Sequence, residues 1–163
     1  MSGAVERLEK ILSEELAIYR ELLTLSEKKR KMLLEKFSTE LQDIVSEEES
    51  RVASLAETED RRRAEISELT GDPETSLENL LPQISDLSVR VLIEQIGREL
   101  KETLAKIREI NQANQRLLEQ ALELTQYSLK LLTTPPKDVV YRQPGKPLKL
   151  VPNVPSRLID RKA

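Results

Sequence analysis

Apolar and polar residues recur along most of this chain with the period of a helix, and the pattern divides it into three long segments and a tail. Advancing about 100° per residue, Val5, Leu8, Leu12, Leu16, Tyr19, Leu23, Leu34 and Phe37 fall on one side of a segment spanning about residues 3 to 36. Ser26 and Arg30 interrupt that row, while Leu22, Leu25 and Met32 widen it, as suits a helix packed against two others. Ser38 and Thr39 are N-cap candidates, and Thr39 with Gln42 fits a capping box, so a turn or kink is expected there. A single unbroken helix to Leu69 is the competing expectation, since neither Gly nor Pro intervenes.

The second pattern runs through Leu41, Ile44, Val45, Val52, Leu55 and Ile66 to Leu69, then meets Gly71, Asp72 and Pro73, ordinary stop and start signals. Between Ala56 and Glu65 no large apolar residue appears, and Glu59 and Arg62 occupy the stripe. This end is expected to pack least tightly. A short helix through Leu77, Leu80 and Leu81 follows, interrupted by Pro82, and Ser85 or Asp86 can cap the last helix.

That last helix is expected to run to Leu132, about 47 residues or roughly 70 Å at 1.5 Å per residue. Leu100, Leu104, Ile107, Leu118, Leu122, Leu129 and Leu132 form one stripe, with Asn111, Asn114 and Thr125 inside it. A second row, Ile110, Leu117, Leu124 and Leu131, repeats every seven residues beside the first. Before Ile107 the apolar face has the roughly 100 to 120° width of a core stripe, whereas beyond Ile110 the two rows cover about half the circumference. The excess calls for another intramolecular layer or for a groove that takes a partner segment, most simply an amphipathic helix. A broad leucine face is also what bundle core or a homodimer seam looks like, and a polar Asn in a heptad core often only fixes register.

Composition agrees with helices. Of 163 residues 34% are charged and only 4 are Gly, and the few aromatics leave Leu, Ile, Val and Ala to build the core, which suits long helices side by side. The fold expected is all-α: an elongated antiparallel three-helix bundle or coiled coil, with a Pro-rich, largely irregular C-terminal tail. There is no Cys and no His, which removes disulfides, thiol nucleophiles, imidazole bases and nearly all zinc or transition-metal chemistry. No catalytic, cofactor or metal site is expected, and no enzyme. A phosphotransfer bundle needs a His, and a carboxylate-bridged di-metal bundle needs Glu-x-x-His pairs.

The amino terminus alternates charge with leucine, unlike a signal peptide, and no apolar run approaches the roughly 20 residues of a membrane span. A cytoplasmic protein without membrane insertion is expected. The runs Glu47 to Glu49 and Arg61 to Arg63 read as a solvated, salt-bridged face, since opposite charges lie within helical reach of both.

From Thr133 the character changes, with six of the eight prolines in the last 29 residues. The division expected is a helical domain over 1–134 and a basic, proline-rich tail over 135–163. Seven Lys and Arg against two Asp give this tail a charge of +5, so contact with the acidic helices is favoured over nucleic acid, for which six prolines and one aromatic make a poor stacking platform.

The run Asn111, Gln112, Ala113, Asn114, Gln115, Arg116, Leu117, Leu118, followed by Tyr127, Ser128 and Leu129, resembles the C-terminal helix of FlgN-type flagellar export chaperones, whose members carry an Asn-x-x-Asn-x-x-Leu-Leu core. The likeness extends from about Leu22 to Tyr141. Its upstream parts, Glu21 to Leu23, Lys28 to Leu34, Glu47 to Glu49 and Glu59 with Arg62, would fit many coiled coils. The order of the Asn-containing helix before a Tyr-x-x-x-Gly element, Tyr141 to Gly145, is the more specific part.

The resemblance implies a type III export chaperone of the bacterial cytoplasm. Such a chaperone binds the helical C-terminal region of hook-filament junction (hook-associated) proteins, prevents premature assembly, and makes contact with the type III export apparatus. By the same likeness, client contacts lie at Asn111, Asn114, Leu117, Leu118, Leu124, Tyr127 and Leu131. Helical phase sets Tyr127 near Leu124 and Leu131, away from the main stripe, and a tyrosine with a wet hydroxyl suits an interface. The alternative is a structural coiled-coil module that forms homo-oligomers, such as a homodimer, through the same leucine rows.

Overall fold

The computed structural model describes residues 2–35 and 39–133, and among these every long element is a helix. Helix α1 (Ser2–Glu35) is followed by α2 (Glu40–Thr70). Ion pairs then fix their relative direction. Arg7 meets Glu65 at 2.8 Å and Glu68 at 2.9 Å, Glu14 meets Arg61, Glu21 meets Arg51, and Lys29 meets Glu48 at 2.7 Å. Rising numbers on α1 meet falling numbers on α2, so the two are antiparallel and the single unbroken helix to Leu69 is excluded. Phe37 and Ser38 lie outside the described residues.

The capping box expected at Thr39 does not form. Thr39 has helical dihedrals (φ −58°, ψ −22°) and makes no side-chain cap bond; an N-cap hydroxyl reaches the first turn only from extended backbone. Gln42 N–H instead donates to the Thr39 carbonyl at 3.3 Å.

The other end of α2 follows its sequence closely. Gly71, at φ 80°, donates its N–H to the Ser67 carbonyl at 2.8 Å, the left-handed stop that glycine takes at no steric cost. Asp72 Oδ1 then accepts from Glu74 N–H at 3.0 Å. Ser76 Oγ accepts from Asn79 N–H at 3.3 Å and opens α3 (Leu77–Leu80). Pro82 falls in a 3-10 turn, Leu81–Gln83. Helix α4 (Leu87–Thr133) is capped by Asp86, whose Oδ1 accepts from Ser88 N–H at 2.9 Å and Val89 N–H at 3.2 Å.

The core is assembled from Val5, Leu8, Leu12 and Leu16 of α1, Ile66 of α2, Leu80 and Ile84 of the connection, and Ile93, Ile96 and Leu100 of α4. Spacings of three and four set each helical contribution on one face. Leu8, Leu12 and Ile93 are completely buried, each stabilising by about 1.5–3 kcal/mol. Arg20 pairs with Glu99, and Ser26 bonds to Asn111 and Asn114, so α4 runs alongside α1 in the same sense.

On α1 and α2, two members of the expected apolar rows, Leu34 and Val52, stay exposed. Leu34 sits in the last turn of α1 and Val52 lies about 80° around α2 from Ile44, at the edge of the face that Ile44, Thr58 and Ile66 bury. In the stretch without large apolar residues, Thr58 is buried and its hydroxyl donates to the Ser54 carbonyl at 2.8 Å.

The chain divides into two units, Met1–Leu122 and Glu123–Ala163, of which the second is described through Thr133 and is helical there. Among the described residues no helix is long and apolar enough to cross a membrane. The proline-rich tail and the Tyr141 to Gly145 element lie outside the described residues.

Candidate functional site

The end of α4 exposes large apolar side chains in close succession: Leu124 is 67% exposed, Tyr127 60%, Leu131 64%, and Leu129 and Leu132 are exposed as well. Single exposed leucines are ordinary, but a contiguous patch marks an interaction surface. Leu124, Tyr127 and Leu131, at intervals of three and four, share one face of the helix. Leu122, Leu129 and Leu132 were expected to continue the core stripe of Leu100, Leu104, Ile107 and Leu118, and all three are exposed. Periodicity marks the face a helix is able to bury, and burial requires a second element against it.

Upstream on α4 the residues of the Asn-x-x-Asn-x-x-Leu-Leu core behave differently from one another. Asn114 is 2% exposed, and its Nδ2 donates to the Ser26 carbonyl of α1 at 3.0 Å. The Ser26 hydroxyl donates to Asn111 Oδ1 at 3.1 Å. Two asparagines one turn apart thus hold one buried serine, and this polar link joins α4 to α1 past the last large apolar core residue of α4, Leu100. Asn114 is therefore committed to the interior, Asn111 is exposed with its carbonyl oxygen engaged, and Leu117 and Leu118 are half-buried. Of the seven candidate residues, Leu124, Tyr127 and Leu131 present open apolar surface.

A second polar group lies between α1 and α2. Glu15 is completely buried, and its Oε2 accepts from the Arg62 guanidinium at 3.2 Å, while the other oxygen has no hydrogen-bond partner. The Tyr19 hydroxyl donates to Glu59 Oε1 at 3.4 Å. Burial pushes the Glu15 carboxyl above its ordinary value, Arg62 opposes the shift and Glu59 adds to it; burial and then Glu59 raise the Tyr19 hydroxyl likewise. The signal was present in the sequence: Glu15 lies seven residues from both Leu8 and Leu22, at a core phase.

This group accounts for part of the charge runs. Arg61 pairs with Glu14, Arg62 with Glu15, Arg63 with Glu74 at 3.4 Å, and Glu48 with Lys29, so the salt-bridged face forms between helices, and in Glu15 it reaches the interior. Among the described residues no group of His, Cys, Asp or Glu could hold a metal ion. A cavity of about 160 Å³ opens where Val5, Leu69, Leu80, Ile84 and Val89 meet, and Glu6, Gln83, Ser85 and Asp86 complete its mainly apolar walls.

Comparison with known proteins gives two matches. The FlgN protein family pattern fits residues 1–149. The uncharacterized protein YvyG of Bacillus subtilis (strain 168) is 26% identical over 146 residues, covering 90% of this chain and 91% of YvyG. No solved structure matches.

Proposed function

Because the chain belongs to the FlgN family of flagellar export chaperones, a family that binds flagellar proteins, we propose that it acts in the bacterial cytoplasm on hook-filament junction proteins. It covers their helical C-terminal region, prevents premature assembly, and delivers them to the type III export apparatus. Residues 1–134 are the chaperone body, with α1, α2 and α4 as a three-helix bundle, and 135–163 are a basic tail.

The observation that carries this reading is the run of exposed apolar side chains at the end of α4. An amphipathic client helix that docks its apolar face there removes from water surface that is otherwise an aggregation risk. Leu124, Tyr127 and Leu131 form the centre of the contact. Leu117, Leu118 and Asn111 lend their exposed parts, and Asn114 acts from within by holding α4 to α1.

Co-purification with hook-filament junction proteins tests the proposal. Wild type retains the client, and Leu124→Asp and Leu131→Asp lose it while far-UV circular dichroism stays unchanged. Leu34→Asp, equally exposed but on α1, retains it. Undiminished binding by the Leu124→Asp/Leu131→Asp double variant would overturn the assignment.

A further inference from the structure

Where the first turn of α1, the last turn of α2 and the start of α4 converge, the core is left incomplete. Val5, Leu80 and Ile84 are buried and Leu69 and Val89 half-buried, yet a cavity of about 160 Å³ remains among them. Two of its lining residues are valines, shorter than the leucines that fill most of the core. Voids of this size are uncommon in close-packed interiors, and one of about 150 Å³ with aliphatic walls takes a benzene-sized group.

The mouth has a different character. Glu6, Gln83, Ser85 and Asp86 line it and are exposed, so it carries two carboxylates and no Lys or Arg. Asp86 is held by the N–H groups of Ser88 and Val89, at 2.9 and 3.2 Å, which fixes its charge at the rim. A ligand that fits both parts needs an apolar group for the interior and a cation just outside it. The interior takes a single side chain, so the rest of the ligand lies on the surface, where the Gln83 amide and Ser85 hydroxyl offer hydrogen bonds to a peptide backbone.

We propose that this cavity is a binding site for a partner protein, which inserts one leucine or phenylalanine side chain and sets an adjacent Lys or Arg against Glu6 and Asp86. Where the chaperone reading above holds, it is a second docking point, separate from the client's. Val89 and Asn111, the nearest candidate client residue along α4, lie roughly 33 Å apart at 1.5 Å per residue, so both partners bind at once.

Methyl-detected NMR of the full chain, titrated at low salt with the acetylated, amidated peptide Gly-Lys-Leu-Lys-Gly, tests the site. The peptide is expected to shift the methyl signals of Val5, Leu69, Leu80, Ile84 and Val89 saturably and to leave those of Leu124 and Leu131 in place. Replacing its leucine by alanine forfeits most of the burial and weakens binding more than tenfold. Replacing both its lysines by glutamate sets like charges together and weakens binding at least as much.

On the protein side, Glu6→Gln/Asp86→Asn removes both charges while asparagine still caps α4, and is expected to raise the Kd roughly three- to tenfold. Val89→Phe fills the cavity from within and abolishes binding, with far-UV circular dichroism unchanged. Should that variant fail to fold, the carboxylate variant and the peptide series decide alone. Shifts confined to the α4 leucines, equal affinity for all three peptides, or no saturable shift at all overturn the proposal. Because no client is present, such a failure leaves the assignment of Leu124, Tyr127 and Leu131 untouched. Conversely, Leu124→Asp/Leu131→Asp, which loses the client, is expected to bind the peptide as wild type does.

Discussion

Asn114 reaches from α4 to the backbone carbonyl of Ser26 on α1, 3.0 Å away, at a position where its own side-chain oxygen accepts nothing. The donor side of the amide is thus engaged and its acceptor side is not, and the unsatisfied oxygen carries a desolvation cost of roughly 1–3 kcal/mol. Such a group stabilises the fold less than an apolar residue of the same shape would, but it sets the axial position of α4 against α1, because only one register brings Nδ2 to that carbonyl.

Asn114→Ala removes the hydrogen bond and opens a small void, so urea denaturation is expected to show a loss of about 1–2 kcal/mol with an unchanged m-value. Asn114→Leu removes the orphaned oxygen along with the bond and is expected to come within about 1 kcal/mol of wild type. A loss of several kcal/mol in the leucine variant would show that the amide does more for the fold than these contacts account for.

Glu15 gives stability a pH dependence of unusual sign for a carboxylate. Its folded value is raised by burial, so its favourable contribution is complete below the ordinary 4.5 and is lost as pH rises through the folded value. Glu15→Gln mimics the protonated form. Its stability relative to wild type is expected to be near zero at low pH and to grow in favour of the variant as pH rises toward neutrality. Denaturant titrations across that range decide the point; a wild type more stable than the variant at neutral pH would mean that the Arg62 ion pair outweighs burial.

Gly71 takes a left-handed conformation with open space where a Cβ would stand. Gly71→Ala therefore costs only the backbone preference, about 1 kcal/mol, which for a chain of this size lowers Tm by roughly 2–4 °C. Gly71→Asn, a residue that tolerates this region, is expected to lose less. Equal losses in both variants would place the cost elsewhere than in the dihedral.

Termination at Gly71, a cap at Ser85 or Asp86, the core row of α1 and Leu100 on α4 were legible in the sequence because they are local: a turn, a cap or a phase decides each. What was not legible depends on a neighbour. Leu122, Leu129 and Leu132 have the phase of a core stripe but no enclosing element among the described residues, so periodicity alone assigned them to the interior. Glu15 has the opposite history, a charged residue at core phase whose acceptance there depends on Arg62, 47 positions away. The paired asparagines were identifiable as a feature, yet nothing in their spacing revealed that both would converge on Ser26, which had registered only as an interruption of the α1 row.

Tyr127 separates apolar contact from hydrogen bonding at the proposed client surface. Tyr127 is 60% exposed on the same helix face as Leu124 and Leu131, and a tyrosine at a wet interface contributes mainly through the area of its ring, with the hydroxyl directed to solvent. Tyr127→Phe is expected to keep client affinity within about threefold, whereas Tyr127→Ala removes the ring and weakens binding roughly tenfold or more, the loss of an aromatic anchor at the centre of an interface. Both variants should unfold at the wild-type denaturant midpoint, because the side chain contributes little to the folded chain by itself. Isothermal titration with a hook-filament junction fragment measures the affinities. Equal, large losses for Phe and Ala would assign the hydroxyl a direct bond to the client, and no loss for Ala would move the contact off this face of α4.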